Sequence, residues 1–571
     1  MIEFEVKRRA DDVDISQLPN ELPTPLRLIL ARRGITQAQQ LQLTSDRLPA
    51  VQHLKDVDKA ARRLADAIAE GSAICICGDF DADGATATAL MVSALRAFGA
   101  AQVDYLVPNR FSDGYGLSEP VVAQALKLGS KVIVTVDNGI SAHSAIDYAQ
   151  QQGIDVIVTD HHLPSASLPK ALAIVNPNRD DCQFPSKSIA GVGVAFYLLL
   201  ALRQLRRSEG HEVPNLANWL DLVALGTVAD VVKLDAVNRI LVEQGLRRIR
   251  AGHCRLGIKA LLAAAGREPS QLQASDLGFV LGPRINAAGR LDDISVGIEC
   301  LLAENPERAQ QLALQLDQLN RERREIEREM REQAEQYVAT YSTKDIATPN
   351  LLVLFEENWH QGVIGIVAGR LKEQLQRPVI AFAKGEQGEL KGSARSVAGL
   401  HIRDFIERID SQRPGLIDKF GGHAMAAGLT LPTEHYAEFK QLASALAEQE
   451  LDAEQLQRVV WSDGRLDASC FSVPFVQQLY SLGPFGQGFA EPLFDDEFVI
   501  IQQRIVGEKH LKLVLQTQER VNIDAIAFNV DLQIWPDPTI NRLYGVYKVQ
   551  LNHFRGQTSV QLQLEHLRPV R

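Results

Sequence analysis

The sequence predicts an α/β protein with two α/β domains, a long helix between them and a small β-barrel at the C-terminal end. Between residues 51 and 250, short apolar runs alternate with helical segments, as in a doubly wound domain with a parallel sheet. Residues 305–339 show the apolar spacing of one continuous helix. Beyond residue 455, strand-like runs such as HLKLVL, YGVYKVQL and SVQLQL indicate an antiparallel barrel or sandwich.

The first domain is predicted from its strands. AICIC (73–77), KVIVTV (131–136) and DVIVT (155–159) are apolar almost throughout, which is typical of strands in a parallel sheet that is buried on both faces. Helical segments lie between them. The six cysteines form neither a zinc spacing nor a disulfide framework, so we expect Cys75 and Cys77 to be small core residues.

The long helix is expected to begin near Pro306, a residue that suits a first turn. At 1.5 Å per residue it spans about 50 Å, long enough to connect two domains. We expect its charged stretch, RERREIEREMRE, to be solvated, with the alternative that its arginines line a groove. The predicted domains are an N-terminal extension (1–50), the first α/β domain (51–300), the connecting helix (301–345), a second α/β domain (346–452) and the barrel (453–571), for which an oligonucleotide-binding (OB) type fits the size.

Composition excludes several function classes. The net charge of −11 argues against a non-specific nucleic-acid binder, so a nucleic-acid partner would need a locally basic channel. No apolar run reaches the roughly 18 residues of a membrane span, and the first residues are not a signal peptide, which predicts a cytoplasmic protein. A phosphate-binding G-x-x-x-x-G-K-[ST] loop is absent, and close helix packing explains the glycines of AGVGVAF (190–196) better than dinucleotide binding does.

Carboxylate and imidazole side chains follow each of the three predicted strands. They are Asp79, Asp81 and Asp83 after the first strand, Asp137 after the second, and Asp160, His161 and His162 after the third. The carboxyl ends of parallel strands meet at one edge of a sheet, so we expect these side chains to lie close together. A calcium loop is excluded, because the twelfth position counted from Asp79 is Leu90 and not glutamate.

This donor set predicts a metal-dependent hydrolase. Oxygen-rich ligation with one or two histidines suits Mn²⁺ or Mg²⁺. The number of carboxylates suffices for two ions that share a bridging aspartate, an arrangement that clamps the attacking and leaving oxygens of a phosphoryl transfer. Metal-bound water would be the nucleophile, and a remaining histidine would donate or accept a proton near neutral pH.

The motifs DFDADG, VDNG and DHH, in this order, resemble those of the DHH phosphoesterase superfamily. GTVAD supplies the further aspartate expected after a helix, Asp230. GSARS (392–396) and FGGHAMAAG (420–428) resemble the companion DHHA1 domain. With PNRFSDGYGLS, LGPRINAAGR and LGPFGQGFAEPLF, the resemblance extends over nearly the whole chain to the bacterial members that degrade single-stranded DNA.

The resemblance implies a function. It implies a DHH domain, a DHHA1 domain and an OB-fold-like nucleic-acid-binding domain in the three predicted folded regions. It further implies a single-strand-specific 5′→3′ DNA exonuclease that releases 5′-mononucleotides by two-metal hydrolysis, in DNA repair and recombination. In this family one strand passes between the two α/β domains, and a passage too narrow for a duplex explains the specificity.

The resemblance also implies roles for individual residues. The implied metal ligands are Asp79, Asp81, Asp83, Asp137, His161 and Asp230, of which Asp79 is either a ligand or the partner of one. The implied catalytic residues are Asp81, Asp83, His162 as the acid/base or phosphate-contacting member, and Asp160 as the residue that orients a histidine. The implied substrate contacts are Arg110, Ser393 and Arg395 at a 5′-phosphate, Tyr115 stacked on a terminal base, His423 at the scissile or a neighbouring phosphate, and Arg284 and Asn286 on the DNA backbone.

Two alternatives stay open at this stage. The first is a DHH-type hydrolase of short oligonucleotides or small phosphoesters, but such chains tend to be much shorter and lack a C-terminal barrel. The second is a non-catalytic scaffold that binds single strands, but the acidic positions are intact here. For the nuclease, the expected partners are single-stranded DNA, a helicase and a single-strand-binding protein, with no membrane and a monomeric chain.

Overall fold

The computed structural model describes residues 4–10, 12–108, 116–343, 349–385, 388–452, 454–554 and 556–570. The chain forms two compact units. The first comprises Arg8–Asn320 and Ser462–Arg571, and the second comprises Met1–Lys7 and Arg321–Trp461. The predicted long helix is confirmed as Pro306–Thr343, and the boundary between the units falls inside it. As domain boundaries, the five ranges proposed above stay predictions.

The first unit contains the predicted parallel sheet. Its strands, in spatial order, are Val103–Leu106, Ile74–Cys77, Val132–Val136, Asp155–Thr159 and Ala173–Val175. All four neighbouring pairs are parallel. The two edge strands were not predicted, because one has three residues and the other is mostly half-buried and lacks a continuous apolar run. Every strand therefore ends at the same edge of the sheet.

Helices cover both faces of this sheet. The helices of eight residues or more that lie wholly in the first unit are Thr24–Ala31, Val57–Glu70, Ala82–Ala97, Glu119–Lys127, His143–Gln151, Gly191–Ser208, Leu220–Ala229, Ala236–Arg250, Leu256–Ala264, Gly282–Leu291, Ser295–Leu302 and, next to the C-terminal barrel, Val473–Ser481. Helix Ala82–Ala97 is buried over most of its length, which its small and aliphatic side chains permit. Cys75 and Cys77 are buried in the sheet, as predicted.

The second unit has a smaller mixed sheet and its own core. The strands, in spatial order, are Lys419–Gly422, Ala426–Pro432, Glu389–Arg395, Val379–Lys384 and Leu352–Phe355. Only the last two are parallel to each other. The helices of this sheet are Ile364–Leu375, Ile402–Gln412 and Tyr436–Glu450. A separate two-stranded sheet pairs Phe4–Arg8 with Arg458–Ser462.

Most charged residues of the stretch RERREIEREMRE in the long helix are exposed, as expected, but one pair is buried. Arg323 and Glu327 form an ion pair of 2.5 Å, and each is 8 % exposed. Arg370, on helix Ile364–Leu375, lies 3.3 Å from the second oxygen of Glu327. The charges are buried together because each has an opposite partner within reach.

The C-terminal strands close into a barrel. They follow one another around it as Phe494–Val506, His510–Gln516, Asn522–Ala527, Gln557–Pro569 and Arg542–Phe554. Alternate residues such as Leu511, Leu513 and Leu515 fill its interior. A closed five-stranded barrel is the OB-type architecture predicted above, but it is not wholly antiparallel, because Asn522–Ala527 and Gln557–Pro569 pair in parallel. In the part of the chain that the structure describes, no helix combines the length and the apolarity needed to cross a membrane.

Candidate metal centre

The first acidic loop connects strand Ile74–Cys77 to helix Ala82–Ala97. Asp81 caps this helix, since its Oδ1 accepts hydrogen bonds of 3.0 Å from the backbone N–H groups of Asp83 and Gly84. A Cβ at Gly84 would lie 2.7 Å from the backbone nitrogen and oxygen of Asp79. Glycine is therefore required for the loop to fold this tightly, and the turn brings three carboxylates to the end of one strand.

Asp83 is held by a helix that lies more than 100 residues further along the chain. Its two oxygens accept backbone hydrogen bonds of 2.7 Å from Gly191 and 2.9 Å from Val192, at the start of helix Gly191–Ser208. Burial, followed by the charge of Asp81, raises the pKa of Asp83 to about 7 despite these two bonds. The glycines of AGVGVAF thus serve close packing, as predicted, and Gly191 packs against the acidic site: a Cβ there would lie 2.5 Å from Asp137 Oδ1.

Asp137 follows the central strand in a backbone conformation that is uncommon for a residue with a side chain, with φ of 63°. The neighbouring Asn138 holds this turn. Its amide group donates to the backbone oxygens of Cys77 and Val136, at 3.1 and 2.9 Å, and its Oδ1 accepts from Leu117 N–H. Asn138 was not predicted, although it lies in the VDNG motif, because only the tertiary structure shows that it joins the ends of two strands.

The DHH motif orients its own histidines. Asp160 Oδ1 accepts hydrogen bonds from the backbone N–H groups of His161 and His162 and lies 2.7 Å from His162 Nδ1. Burial opposes ionisation of Asp160, but the hydrogen bond and charge of His162 outweigh it and lower the pKa of Asp160. Burial also opposes ionisation of His162, and by itself it would lower the pKa of the ring. The hydrogen bond and the charge of Asp160 outweigh burial, so the net shift of the His162 pKa is upward.

His161 faces the carboxylates. Its Nε2 lies 3.0 Å from Asp137 Oδ1 and 3.5 Å from Asp230 Oδ2. Burial, followed by the charge of His162, lowers the pKa of His161 to about 4, so the ring is neutral at pH 7 and can offer a lone pair to a metal. Asp230 reaches the site from the C-terminal end of helix Leu220–Ala229, where it follows the last helical residue.

Three overlapping groups of side chains could each hold a cation, because their ligand atoms lie within 4.8 Å of one another. The groups are Asp79, Asp81 and Asp137; Asp83, His161 and Asp230; and Asp137, His161 and His162. We call their seven residues the metal cluster. Asp137 and His161 each belong to two groups. The two oxygens of a carboxylate such as Asp137 can be shared by two neighbouring ions, whereas the one lone pair of a neutral imidazole binds a single ion.

The electrostatics of the metal cluster also favour bound cations. Burial and the neighbouring carboxylates hold the pKa of Asp137 and of Asp230 well above the usual range. Positive charge at this position would remove the repulsion and allow the carboxylates to ionise. Oxygen donors with one neutral imidazole fit Mn²⁺ or Mg²⁺.

The predicted substrate residues are distributed over both units. Arg110 and Tyr115 lie outside the described residues. Arg284 is buried and forms an ion pair with Asp317, with nitrogen–oxygen distances of 2.8 and 3.0 Å. Asn286 Oδ1 accepts a hydrogen bond of 2.7 Å from the backbone of Ala82, in the acidic loop. As contacts to DNA, these four residues stay predictions.

The remaining substrate residues belong to the second unit. Ser393 and Arg395 are neighbours on one face of strand Glu389–Arg395, with Arg395 Nη1 donating to Ser393 Oγ at 3.1 Å. A Cβ at Gly365, in the first turn of helix Ile364–Leu375, would lie 2.9 Å from Ser393 Oγ and 3.0 Å from Arg395 Nη2. His423 is exposed in the turn after strand Lys419–Gly422. Gly365 was not predicted, since nothing local marks it as the neighbour of a strand 30 residues away.

Models of three protein families match the chain. The DHH family N-terminal domain matches residues 73–227, the DHHA1 domain residues 348–449 and the RecJ OB domain residues 462–566. The chain is 53 % identical to the single-stranded-DNA-specific exonuclease RecJ of Dickeya dadantii, with 97 % of this chain and 98 % of that protein covered. It is 51 % identical to the protein of the same name from Escherichia coli, and both chains are covered completely.

A solved structure shares the fold. RecJ of Thermus thermophilus in complex with Mn²⁺ superposes with a TM-score of 0.82 at 30 % identity, covering 100 % of this chain and 80 % of that one. The same protein has also been solved with Mg²⁺, the second metal that the donor set fits. The identity over the full length, the three domain matches and the shared fold agree, and the chain belongs to the RecJ family of single-stranded-DNA-specific exonucleases.

Proposed function

We propose that this chain is a metal-dependent 5′→3′ exonuclease that hydrolyses the terminal phosphodiester of single-stranded DNA and releases 5′-mononucleotides. The observation that carries the proposal is the metal cluster, in which carboxylates from separate elements converge on overlapping ligand groups. The relatives named above are exonucleases specific for single-stranded DNA. The closed C-terminal barrel supports a polymeric substrate over a small phosphoester.

The metal ligands in this proposal are Asp79, Asp81, Asp83, Asp137, His161 and Asp230. These residues suffice to hold two Mn²⁺ or Mg²⁺ ions, which would supply an activated water and a Lewis acid for the phosphate. The protein contributes rigidity: the helix cap at Asp81 and the two backbone hydrogen bonds to Asp83 fix the directions of both carboxylates. Fixed ligands need no reorganisation during the reaction.

His162 is the proton-transfer residue. Asp160 accepts from its Nδ1, which leaves Nε2 as the nitrogen that meets the substrate. The same contact raises the pKa of His162, although burial acts against it, and so favours the protonated ring. A protonated ring in this position can give its proton to the leaving 3′-oxygen or bind the phosphate, and Asp160 acts through it.

Ser393 and Arg395 bind the 5′-phosphate of the strand. Arg395 is half-buried, and desolvation lowers the pKa of its guanidinium group, so an anion in this pocket would meet a partly desolvated cation. The first turn of helix Ile364–Leu375 approaches both side chains at Gly365, and the amino end of a helix favours a phosphate. A pocket for the terminal phosphate would explain a fixed direction of degradation. Arg110, Tyr115, Arg284 and His423 are further proposed contacts.

The cellular context is proposed from the same function. An enzyme that degrades single strands from the 5′ end requires strand separation, so we expect a helicase and a single-strand-binding protein as partners. The expected roles are DNA repair and recombination, in the cytoplasm, with a monomeric chain. These expectations are tested by co-purification and by sedimentation of the intact protein.

The decisive experiment compares Asp81 with a matched control. Asp235 caps helix Ala236–Arg250 with the same geometry, accepting from Val237 and Asn238 at 3.0 Å, and lies outside the metal cluster. Serine retains the capping oxygen and removes the carboxylate. With Mn²⁺ and single-stranded DNA labelled at either end, we expect 5′-terminal loss for the wild type and for Asp235→Ser, and none for Asp81→Ser.

Other outcomes would redirect the proposal. Cleavage of di- to pentanucleotides alone would favour the hydrolase of short oligonucleotides. Binding of single strands without cleavage in either metal would favour the scaffold. Equal rates for the Asp81 variant and the wild type would remove the metal cluster from the mechanism, and degradation of blunt duplex would contradict the specificity.

A further inference from the structure

The motif LGPRINAAGR has a place in the fold that its implied contact with DNA does not explain. It covers helix Gly282–Leu291, which packs against the acidic loop of the metal cluster. Two of its residues touch this loop directly. Asn286 hydrogen-bonds to Ala82, and Gly289 lies against the backbone of Phe80.

The hydrogen bond of Asn286 completes the cap of helix Ala82–Ala97. The first backbone N–H groups of a helix have no partner within it. Here Asp81 Oδ1 accepts from Asp83 and Gly84, and Asn286 Oδ1 accepts from Ala82 at 2.7 Å. Without Asn286, the N–H of Ala82 would compete for the oxygen of Asp81 and turn that carboxylate away from the metal cluster.

Gly289 allows the two segments to approach. A Cβ at this position would lie 2.0 Å from the backbone oxygen of Phe80, a contact that no side chain can make. Phe80 stands between Asp79 and Asp81, so any displacement of its carbonyl group moves both neighbours. Gly289 is buried, and at this contact its lack of a side chain allows the two segments to pack closely.

The helix itself is fixed from its other end. Arg284 forms a buried ion pair with Asp317 of helix Pro306–Thr343, and its Nη1 donates to Val280 O at 2.6 Å. These bonds hold the turn of helix that carries Asn286. The support therefore runs from the long helix through Arg284 to Asn286 and the acidic loop.

We propose that Asn286 and Gly289 are positioning residues that hold the loop of Asp79, Asp81 and Asp83 in its metal-binding geometry. This inference rests on the proposed function of the metal cluster. It reassigns Asn286 from the DNA backbone to the protein backbone. Residues that orient metal ligands typically change metal affinity by about 10- to 100-fold when they are replaced.

The test measures Mn²⁺ affinity of the intact chain, from the electron paramagnetic resonance signal of free Mn²⁺ during a titration. Asn286→Ala removes the acceptor, and we expect about tenfold weaker binding or more. Asn286→Asp retains the oxygen and removes the amide donor, so it should bind Mn²⁺ within about threefold of the wild type. Asn305→Ala is the matched control, because Asn305 Oδ1 accepts from Glu307 and Arg308 at the start of another helix.

Glycine variants provide an independent arm. Gly289→Ala should weaken Mn²⁺ binding like Asn286→Ala. Gly369→Ala, also within a helix but with nothing within 4 Å of the added Cβ, should leave it unchanged. Melting temperatures of the metal-free proteins identify variants that simply fail to fold.

The outcomes separate the possible roles. If Asn286→Ala and Asn286→Asp both weaken binding of single-stranded DNA in EDTA and leave Mn²⁺ affinity unchanged, Asn286 contacts DNA and the inference is wrong. If both lower the melting temperature without changing Mn²⁺ affinity, its role is only structural and the inference is again wrong. If the wild type binds Mn²⁺ but cleaves no DNA, the proposed nuclease fails while the positioning effect is still decided by the affinities.

Discussion

Replacing Gly191 by alanine should lower the rate of cleavage by distorting the metal cluster, an effect that can be distinguished from a loss of protein stability. The added Cβ would lie 2.5 Å from Asp137 Oδ1 and 2.7 Å from Asp137 Cβ. Both distances are about 1 Å shorter than ordinary van der Waals contacts. The same residue donates its N–H to Asp83 Oδ2, so relief of the clash either displaces Asp137 or lengthens the bond to Asp83.

The expected loss follows from this displacement. Misplacing a catalytic group by about 1 Å costs about 100-fold in rate, which corresponds to about 2.7 kcal/mol of transition-state stabilisation. We therefore expect Gly191→Ala to lower the single-turnover rate on 5′-labelled single-stranded DNA about 100-fold at saturating Mn²⁺. Overpacking should also destabilise the fold by about 1–3 kcal/mol.

Gly193 provides the matched control in the same helix. Its added Cβ would lie 2.6 Å from Ile189 Cγ1, an aliphatic side chain outside the metal cluster. Gly193→Ala should lose a similar free energy of unfolding in urea and retain cleavage within about threefold. The reasoning is refuted if folded Gly191→Ala cleaves within threefold of the wild type, or if both variants lose the same activity.

Three further predictions concern charge. Asp160→Asn removes the carboxylate that raises the pKa of His162 against burial, so cleavage should fall about 100-fold and its alkaline limit should move to lower pH; an unchanged pH–rate profile would contradict the role of His162. Asp83 has a folded pKa of about 7, above its unfolded value of about 3.9, so its contribution to stability is fully present below about pH 3.9 and is lost as the pH rises through about 7. The pKa of His161 shifts in the opposite direction, but the contribution of His161 to stability no longer changes above about pH 6.5. Between pH 6.5 and 8 the melting temperature of the metal-free protein should therefore fall, and the increase in melting temperature caused by Mn²⁺ should grow. An increase that does not depend on pH would argue against this linkage. Arg395→Ala should raise KM about 10- to 100-fold for 5′-phosphorylated single strands and leave 5′-hydroxyl strands unchanged, and equal effects on both would exclude a terminal-phosphate pocket.

The sequence by itself determined the central strands of the first unit and the acidic residues that follow them. Nearly continuous apolar runs identified the three central strands, because strands buried on both faces of a parallel sheet carry few polar residues. Carboxylates directly after those strands then predicted one cluster, since parallel strands deliver their carboxyl ends to one edge. Asp230 follows a helix and not a strand, so only the resemblance to a family predicted it as a metal ligand. The spacing of its apolar residues was sufficient to predict the long helix.

Only the tertiary structure decided which partners hold these groups. The hydrogen bonds from Gly191 and Val192 to Asp83 connect positions more than 100 residues apart, and that from Ala82 to Asn286 connects positions 204 apart. No local pattern specifies such pairs, because they arise when two elements pack on a shared core. Arg323 and Glu327 are only four residues apart on one helix, but nothing in their charged stretch predicts that this pair is buried. A side chain's charge is local, but its burial and its partners depend on the neighbours that folding brings to it.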